Sequence, residues 1–359
     1  MAYTVIDKPS DYFNTVLYTG NNTSQSITGV GFQPDWVWLK ERNGTEQHNL
    51  YDSVRGVYKR LMADANSLEY SSDTQLTAFG SDGFSVGSSD AINDAGNTMV
   101  AWNWRAGTAF TNDASSTSIG TLDSAGSSNQ EAGFSIVSYT SNGSSNQSVA
   151  HNLGGVPEMI ISKNRDSTSA SYNYWTVYHH SLATANDKKL KLNTTDAAST
   201  TNEWGDTDPT STVYSLHTSG DGTTNHSTDK MISYCFRSIK GYSKFSSYIG
   251  NGQDTPNGVF TYLGFTPAFI LIKATDSNSW VIVDDKRPAD PNPVDSSLAA
   301  NSSDAETTGD SNTTFDFLSN GFRTNGNSGN NNSSGQEYIF MAFASSPFTT
   351  STGIPATAK

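Results

Sequence analysis

The sequence has a single cysteine, Cys235, among its 359 residues. One thiol excludes an intrachain disulfide framework and a cysteine-rich zinc module. Charged residues are sparse at 16%, and 21 basic against 35 acidic side chains give a net charge of −14. Because phosphate binding needs clustered lysine and arginine, this balance argues against a nucleic-acid partner.

Long apolar segments are also missing. No run approaches the roughly 20 apolar residues that a membrane-spanning helix needs, so we expect no membrane insertion. The first nine residues contain neither the basic segment nor the apolar stretch of a signal peptide. We therefore expect the chain to be made and folded in a reducing cytoplasm, which agrees with its single thiol.

Aromatic residues are frequent, at 11%, whereas Ser, Thr, Asn, Gly and Asp fill many of the other positions. Aromatic residues favour strands, and Gly, Asn and Asp favour tight turns. Helix signals are scarce, and the best short candidate is 53–62. The composition therefore predicts an all-β fold of short strands joined by many turns.

A segment of nine residues recurs three times. Each copy has a proline at its third position, an apolar run, and a lysine six residues after the proline; the copies are 32–40, 155–163 and 265–273. A proline can open a strand because its missing N–H is harmless there. The apolar run indicates a strand that is buried on both faces.

Two further segments recur around it. A tyrosine before a turn (Tyr18, Tyr139 and Tyr248) lies 16, 18 and 19 residues before its proline. The apolar segments 97–104, 229–236 and 336–343 align without gaps. Their length and composition are typical of the last core strand of a unit.

These recurrences predict three tandem antiparallel β-sandwich repeats that are jelly-roll-like. We place the first at 1–105, the second at 133–241, and the third, with a C-terminal tail, at 242–359. Residues 106–132 are mostly Ser, Thr, Gly, Ala and Asn, which predicts a linker or an extended strap along the surface.

The sequence contains no recognisable catalytic or cofactor motif. His179 and His180 are the only histidine pair, but neighbours on a strand point to opposite faces and a third metal ligand would have to come from elsewhere. The acidic loop 284–295 lacks the regular spacing of a calcium loop. We predict no enzyme activity, no cofactor and no metal, and leave open whether Ca²⁺ binds the loop.

Two tryptophan pairs have the spacing that puts both rings on one face of a strand: Trp36 with Trp38, and Trp102 with Trp104. Such a face could stack on sugar rings. The matching positions in the other two segments are also apolar, which favours a place in the sandwich core.

A different aromatic group is the better candidate for a surface contact. Tyr172, Tyr174 and Trp175 follow the Ser/Thr-rich loop 166–171. Loops at the ends of β-sandwiches commonly hold binding residues. These three are therefore the candidate binding residues.

Several segments resemble a repeat family of uncharacterised virion proteins from marine tailed phages, those of cyanobacteria and of abundant ocean bacteria. The segments are 11–14, 18–21, 27–38, 54–56, 97–104, 241–245, 318–322 and 338–348. Members are commonly labelled tail fibre or structural protein. The resemblance covers nearly the whole chain but carries no catalytic residue. It implies a virion location and assembly with other virion proteins.

The resulting hypothesis is a non-enzymatic, tail-fibre-like appendage whose loops attach to a host-surface glycan or protein. Fibres are often trimers, so we expect a homotrimer in which several weak sites act together. One arrangement docks the first unit to the virion and turns the later units outward.

Three alternatives stay open. The chain could be a capsid decoration or head-fibre protein, which composition does not separate from a tail fibre. A polysaccharide depolymerase is disfavoured because a period of roughly 100 residues does not fit a β-helix. A cellular adhesin is disfavoured by the missing export signal.

Overall fold

The computed structural model describes residues 3–218, 223–290, 292–311 and 313–355. Nearly all regular structure in these residues is β, as the composition predicts. The described helical elements are short: α1 (Asp90–Asn93), α2 (Ala114–Thr117), and 3₁₀ turns at Pro9–Asp11, Ala170–Tyr172 and Ala185–Asp187. None of these helices is long and apolar enough to cross a membrane.

The first part of the chain forms two sheets. Its strands are β1 (Phe13–Thr19), β2 (Gln25–Thr28), β3 (Trp36–Glu41), β4 (Asn49–Asp52), β5 (Lys59–Met62), β6 (Tyr70–Ser71), β7 (Leu76–Gly80), β8 (Gly83–Val86) and β9 (Thr98–Trp104). A main sheet has the order β1-β9-β3-β4-β5-β6, and a small sheet has the order β2-β8-β7. Ile27 and Phe84 of the small sheet cluster with Val37 and Leu39 of the main sheet, so the two sheets form a sandwich.

The second part has a longer main sheet. Its strands are β10 (Thr108–Asn112), β11 (Ser124–Asn129), β12 (Phe134–Thr140), β13 (Gln147–Ala150), β14 (Met159–Asn164), β15 (Trp175–His179), β16 (Lys188–Lys191), β17 (Ser199–Thr200), β18 (Val213–Leu216) and β19 (Lys230–Phe236). The main sheet has the order β10-β11-β12-β19-β14-β15-β16-β17, and β13 pairs with β18 in a small sheet. Tyr214 of the small sheet packs edge-on against Tyr139 of the main sheet at 6.4 Å, so these two sheets form the second sandwich.

The linker predicted at 106–132 is corrected by this sheet. Its residues form β10 and β11, with α2 between them, and β11 pairs antiparallel with β12. The small side chains that suggested a linker allow this close approach. A Cβ added to Gly126 would lie 1.9 Å from the carbonyl oxygen of Ile136 on β12.

The third part again forms two sheets. Its strands are β20 (Ser243–Ile249), β21 (Phe260–Tyr262), β22 (Phe265–Ala274), β23 (Trp280–Asp284), β24 (Leu298–Ala299), β25 (Phe315–Leu318), β26 (Gly321–Thr324) and β27 (Glu337–Pro347). The main sheet has the order β20-β27-β22-β23-β24, and the small sheet has the order β21-β26-β25. Phe317 and Phe322 of the small sheet pack with Ile270 and Ile272 of the main sheet.

The three main sheets share one strand order. In each, the strand that contains the recurring tyrosine pairs with the last strand of its part, and that last strand pairs with the strand of the proline motif: β1-β9-β3, β12-β19-β14 and β20-β27-β22. All of these pairings are antiparallel. The division of the chain into three repeat domains with the boundaries given above stays a prediction.

The strands of the proline motif are buried on both faces, as their apolar runs predict. On β3, Val37 and Leu39 face the sandwich of the first part, whereas Trp36 and Trp38 face the other way. Both tryptophans are 0% exposed. Their predicted burial is confirmed, but they lie on the face between the main sheets and not in the sandwich core. They are not available to a glycan.

Aromatic rings from all three main sheets meet on this second face. Trp36 stacks on Tyr234 with 4.4 Å between the ring centroids. Phe236 lies 6.2 Å from Phe343, which stacks on Phe13 at 5.1 Å. We call this cluster the aromatic hub; its members are Phe13, Trp36, Trp104, Tyr234, Phe236, Phe269 and Phe343. The hub joins the three sheets into one hydrophobic core.

Backbone hydrogen bonds close the contact between the main sheets at three equivalent places. They run from Glu69 N to Arg165 O at 2.8 Å, from Ala198 N to Thr275 O at 2.8 Å, and from Glu306 N to Arg42 O at 2.7 Å. Each bond links two different main sheets. The sheets therefore form a closed ring, in which each contacts both of the others.

Two of the three junctions also contain buried ion pairs. Between the third and first sheets, Arg287 donates to Asp284 at 2.5 Å and to Glu306 at 2.8 Å, and Arg42 donates to Glu306 at 2.7 Å. Trp102 of the first sheet donates to Asp284 from its indole N–H at 2.9 Å. This set satisfies two buried carboxylates across the junction.

The other two junctions show how much these positions can vary. Asp52, Arg55, Glu69 and Arg165 form the equivalent network between the first and second sheets. At the junction between the second and third sheets, the matching positions hold His179, Leu182, Ala198 and Thr275. One junction is thus closed without an ion-pair network at these positions.

The lysine that ends each proline motif is buried. Lys40, Lys163 and Lys273 are each 0% exposed. Their ammonium groups donate to backbone carbonyls, those of Glu41 and Gly44, of Asn173, and of Ala274 and Asp276 respectively. Burial lowers the pKa of Lys163 to about 7 and that of Lys273 to about 8. The lysines therefore fix backbone next to the strand ends.

The helix predicted at 53–62 is wrong. The segment begins with a turn and ends in β5, which pairs with β4. Gly56 and Tyr58 have φ values of +88° and +69°, which an α-helix does not tolerate. Asp52 anchors the turn by accepting a hydrogen bond from the backbone N–H of Arg55 at 2.8 Å.

Candidate binding surface

The structure separates the three candidate binding residues. Trp175 is 0% exposed, and its indole N–H donates to the carbonyl of Met62 in the first main sheet at 2.7 Å. The ring therefore contributes to the junction between two sheets and does not face solvent. Strand alternation explains this, because Trp175 and Val177 share the inner face of β15.

Tyr172 and Tyr174 lie at the surface and are partly exposed. Tyr172 stacks on His226 with 3.7 Å between the ring centroids, and His226 in turn bonds Asp229 at 2.7 Å. The ammonium of Lys191 lies 4.0 Å from the centre of the Tyr174 ring. Each ring thus has a partner within its own sandwich.

The histidine pair and the acidic loop, which were weighed as metal ligands, have structural partners. Nε2 of His179 lies 3.2 Å from the carbonyl oxygen of Phe340, and burial lowers the pKa of His179 to about 3, with the neighbouring His180 adding to the shift. In the acidic loop, Asp284 belongs to the ion-pair network. Within the described ranges, no group of three His, Cys, Asp or Glu side chains is placed to hold a metal ion.

A surface that the sequence analysis missed brings exposed rings and lysines together. We call Tyr3, Lys240, Lys244, Phe260 and Tyr262 the aromatic–lysine patch. Phe260 and Tyr262 are 48% and 50% exposed. Large rings exposed to this extent side by side are a feature of interaction sites.

Local structure positions the two exposed rings. β21 lies at the edge of the small sheet of the third part and pairs with β26. Residues two apart on a strand share a face, so Phe260 and Tyr262 point outward together while Thr261 is buried between them. Thr261 is paired with Phe322, which packs toward the main sheet, so Phe260 and Tyr262 lie on the opposite face of the small sheet.

The N-terminal segment completes the patch. The hydroxyl of Tyr3 lies 3.0 Å from that of Tyr262 and donates to the carbonyl of Gly264 at 2.9 Å. Thr4 fixes this segment by donating to the carbonyl of Lys240 at 2.9 Å. The N-terminal segment and the third part of the chain thus build one surface.

Both tyrosine rings have an ammonium group close to them. The Lys240 nitrogen lies 4.6 Å from the centre of the Tyr3 ring, and the Lys244 nitrogen lies 5.6 Å from the centre of the Tyr262 ring. Lys244 also donates to the Tyr262 carbonyl at 2.6 Å, and burial lowers its pKa. Burial raises the pKa of Tyr3, and the hydrogen bond with Tyr262 adds to this effect.

This arrangement combines two kinds of recognition. Exposed ring faces can stack on the C–H face of a sugar, and two ammonium groups can bind carboxylate or phosphate oxygens. The local positive charge contrasts with the net charge of −14 of the whole chain. The patch is therefore suited to an anionic glycan.

A family model matches residues 8–347 and is described as a domain of unknown function, DUF7483. The chain belongs to the DUF7483 family. No curated protein matches the chain, and neither does any solved structure.

The DUF7483 match spans all three main sheets, from before β1 to the end of β27. The family model therefore covers the complete ring of sheets. Of the aromatic–lysine patch, only Tyr3 lies outside the matched residues.

Proposed function

We propose that this DUF7483 chain is a non-enzymatic structural protein of a bacteriophage virion, a tail-fibre-like appendage that attaches to the host surface. The resemblance of its sequence segments to marine phage virion proteins supports the virion location. A ring of three sheets around one aromatic hub supports a rigid scaffold role, because such a core holds surface residues in fixed positions.

One observation carries the attachment role: Phe260 and Tyr262 expose 48% and 50% of their surface beside Lys244. We propose that the aromatic–lysine patch contacts an anionic host-surface glycan. A single such contact is weak. A homotrimer would present three copies and bind a repetitive surface with high avidity.

Labelling of intact virions tests the location. A gold-labelled antibody against the purified chain is applied to virions of a phage that encodes it, with antibody pre-absorbed on the purified chain as the control. We expect gold particles at the tail. Label on the head would contradict a tail fibre and support capsid decoration or a head fibre. Virions without label, from a preparation in which the denatured chain is detected, would contradict an exposed appendage.

A further inference from the structure

The second sandwich has an open cleft of about 660 Å³ beside the end of β15. Pro157, Leu182 and Pro209 are buried and form an apolar part of its lining. Tyr178 lines the cleft as well, and its ring packs edge-on against Trp204 at 5.7 Å, which fixes its position. Small-molecule sites have volumes of about 300–1,000 Å³, so the cleft has room for one or two sugar rings.

Polar groups with free hydrogen-bonding capacity face this cleft. Among the described residues, neither the Tyr178 hydroxyl nor the exposed Asp208 carboxylate has a hydrogen-bond partner. Burial raises the pKa of Tyr178 to about 12, and the nearby charge of Asp208 adds to this shift. Asn186 lines the same cleft, and its amide makes one long bond, of 3.4 Å, to the carbonyl of Asp206.

The first sandwich shows what happens to a matching tyrosine in a closed site. Tyr51 pairs with Val37 as Tyr178 pairs with Ile160, which puts the two tyrosines at equivalent places. Tyr51 is 0% exposed, and its hydroxyl donates to the Gln75 side chain at 2.5 Å.

The neighbouring carboxylate of the first sandwich is likewise satisfied. Asp35, which matches Glu158 of the cleft, accepts hydrogen bonds from the Ser53 hydroxyl at 2.7 Å and from the backbone N–H of Ala106 at 2.9 Å. Glu158 uses Oε2 alone, for the backbone N–H and hydroxyl of Ser238. In the described part of the second sandwich, the Tyr178 hydroxyl and one oxygen of Glu158 are therefore free to bind a ligand, whereas the equivalent groups of the first sandwich are hydrogen-bonded within the protein.

We infer that this cleft binds a ring of a neutral sugar. The apolar lining from Pro157, Leu182 and Pro209 suits the C–H face of a sugar. The carboxylates of Asp208 and Glu158 accept hydrogen bonds from sugar hydroxyls, which are strong when the acceptor is charged.

Arg237 and Lys244 are near enough to Glu158 to interact with its charge, but neither lines the cleft. The described residues of the lining include no lysine or arginine, so the exposed carboxylate of Asp208 repels acidic sugars.

The same geometry disfavours a cationic ligand. Recognition of an ammonium group usually employs several open aromatic faces. Among the described residues, the lining holds two aromatic rings: Tyr178, which is 4% exposed, and His180, whose Nε2 lies 3.0 Å from the carbonyl oxygen of Phe245. Two rings, one of them buried, do not make such a set of open faces. The cleft is therefore a site separate from the aromatic–lysine patch and opposite to it in charge preference. The inference that this cleft binds a sugar does not depend on where the protein lies on a virion.

A glycan array with the full-length chain tests this inference. The array displays neutral and acidic glycans together with amine-terminated spacers, and titration of the best neutral glycan then gives its dissociation constant. The variant Asp208→Asn removes the open carboxylate but keeps its shape. Asp206→Asn, an exposed aspartate of the same loop outside the lining, is the matched control.

We expect neutral glycans to bind, and Asp208→Asn to weaken that binding by roughly tenfold, the effect of a lost charged hydrogen bond. Asp206→Asn should leave the affinity unchanged. The inference is overturned if no neutral glycan exceeds the bare spacer, if the amine spacers bind best, or if Asp208→Asn binds as tightly as the unchanged chain. Because the readout uses the purified protein, it is independent of the virion-labelling result.

Discussion

Replacing Trp36 with alanine is expected to lower the free energy of unfolding by about 4 kcal/mol, the middle of the range for a fully buried tryptophan. Trp36 is 0% exposed and lies within 6 Å of rings from the second main sheet, including Tyr234 at 4.4 Å and Phe236 at 5.9 Å. Little can collapse into the space it leaves, because its neighbours belong to different sheets.

Chemical denaturation and hydrogen exchange measure this effect. Because the hub is shared, we expect amides in β3, β14 and β22 to lose protection together in Trp36→Ala. Leu17→Ala, at a position that is 41% exposed on β1, is the control and should change stability by less than about 0.5 kcal/mol. Loss of protection confined to the first main sheet would contradict a common core.

The second large effect concerns the buried ion pairs. Arg287→Leu is expected to cost about 4 kcal/mol, because it leaves Asp284 charged and buried without its arginine and removes one of the two arginines that pair with Glu306. The junction between the second and third sheets shows how these positions are filled without a network. Placing the residues of that junction at the matching positions gives a variant with four substitutions, which we call the compensated variant. Its substitutions are Arg42→Thr, Asp284→His, Arg287→Leu and Glu306→Ala.

We expect the compensated variant to be at least about 2 kcal/mol more stable than Arg287→Leu alone, since replacing a whole buried network is often neutral. Thermal and denaturant unfolding of both proteins beside the unchanged chain measure the difference. A compensated variant as unstable as the single substitution would show that the charges themselves hold this junction together.

Much of the fold could be predicted from local patterns. The parity of Trp36 and Trp38 put both rings on one face, and the continuous apolar run around them indicated burial of the other face too. Both features follow from the alternation of side chains along a strand, which can be read from the sequence without knowing the strand's partners. The matching apolar residues at 269 and 271 then favoured a core over a ligand site.

Other features depended on partners distant in the sequence. The segment around Gly126 looked like a linker because its side chains are small, but the same smallness lets it pair with β12. Trp175 followed a loop and was predicted to lie at the surface, yet its indole is bonded to Met62, 113 residues away. Neither partner can be read from the local pattern.

The candidate site was the least predictable feature. Phe260 and Tyr262 have the spacing of a strand face, but whether that face is open depends on which face of the small sheet packs on the main sheet. Tyr3 and Tyr262 are 259 residues apart and meet only through the folded third sandwich. The two lysines beside them are unremarkable in sequence, because a lysine near an aromatic residue has no distinctive pattern.

The most direct test of the proposed function measures attachment to cells. Fluorescent full-length chain is bound to the bacterial host of a phage that encodes it, and Tyr262→Ala is compared with Tyr70→Ala. The control is closely matched: Tyr70 is 49% exposed against 50% for Tyr262, and Arg60 lies 5.1 Å from the centre of its ring. We expect Tyr262→Ala to reduce cell binding at least tenfold, Tyr70→Ala to leave it unchanged, and added salt to weaken binding by the unchanged chain. Equal binding by both variants and the unchanged chain would contradict attachment through the aromatic–lysine patch.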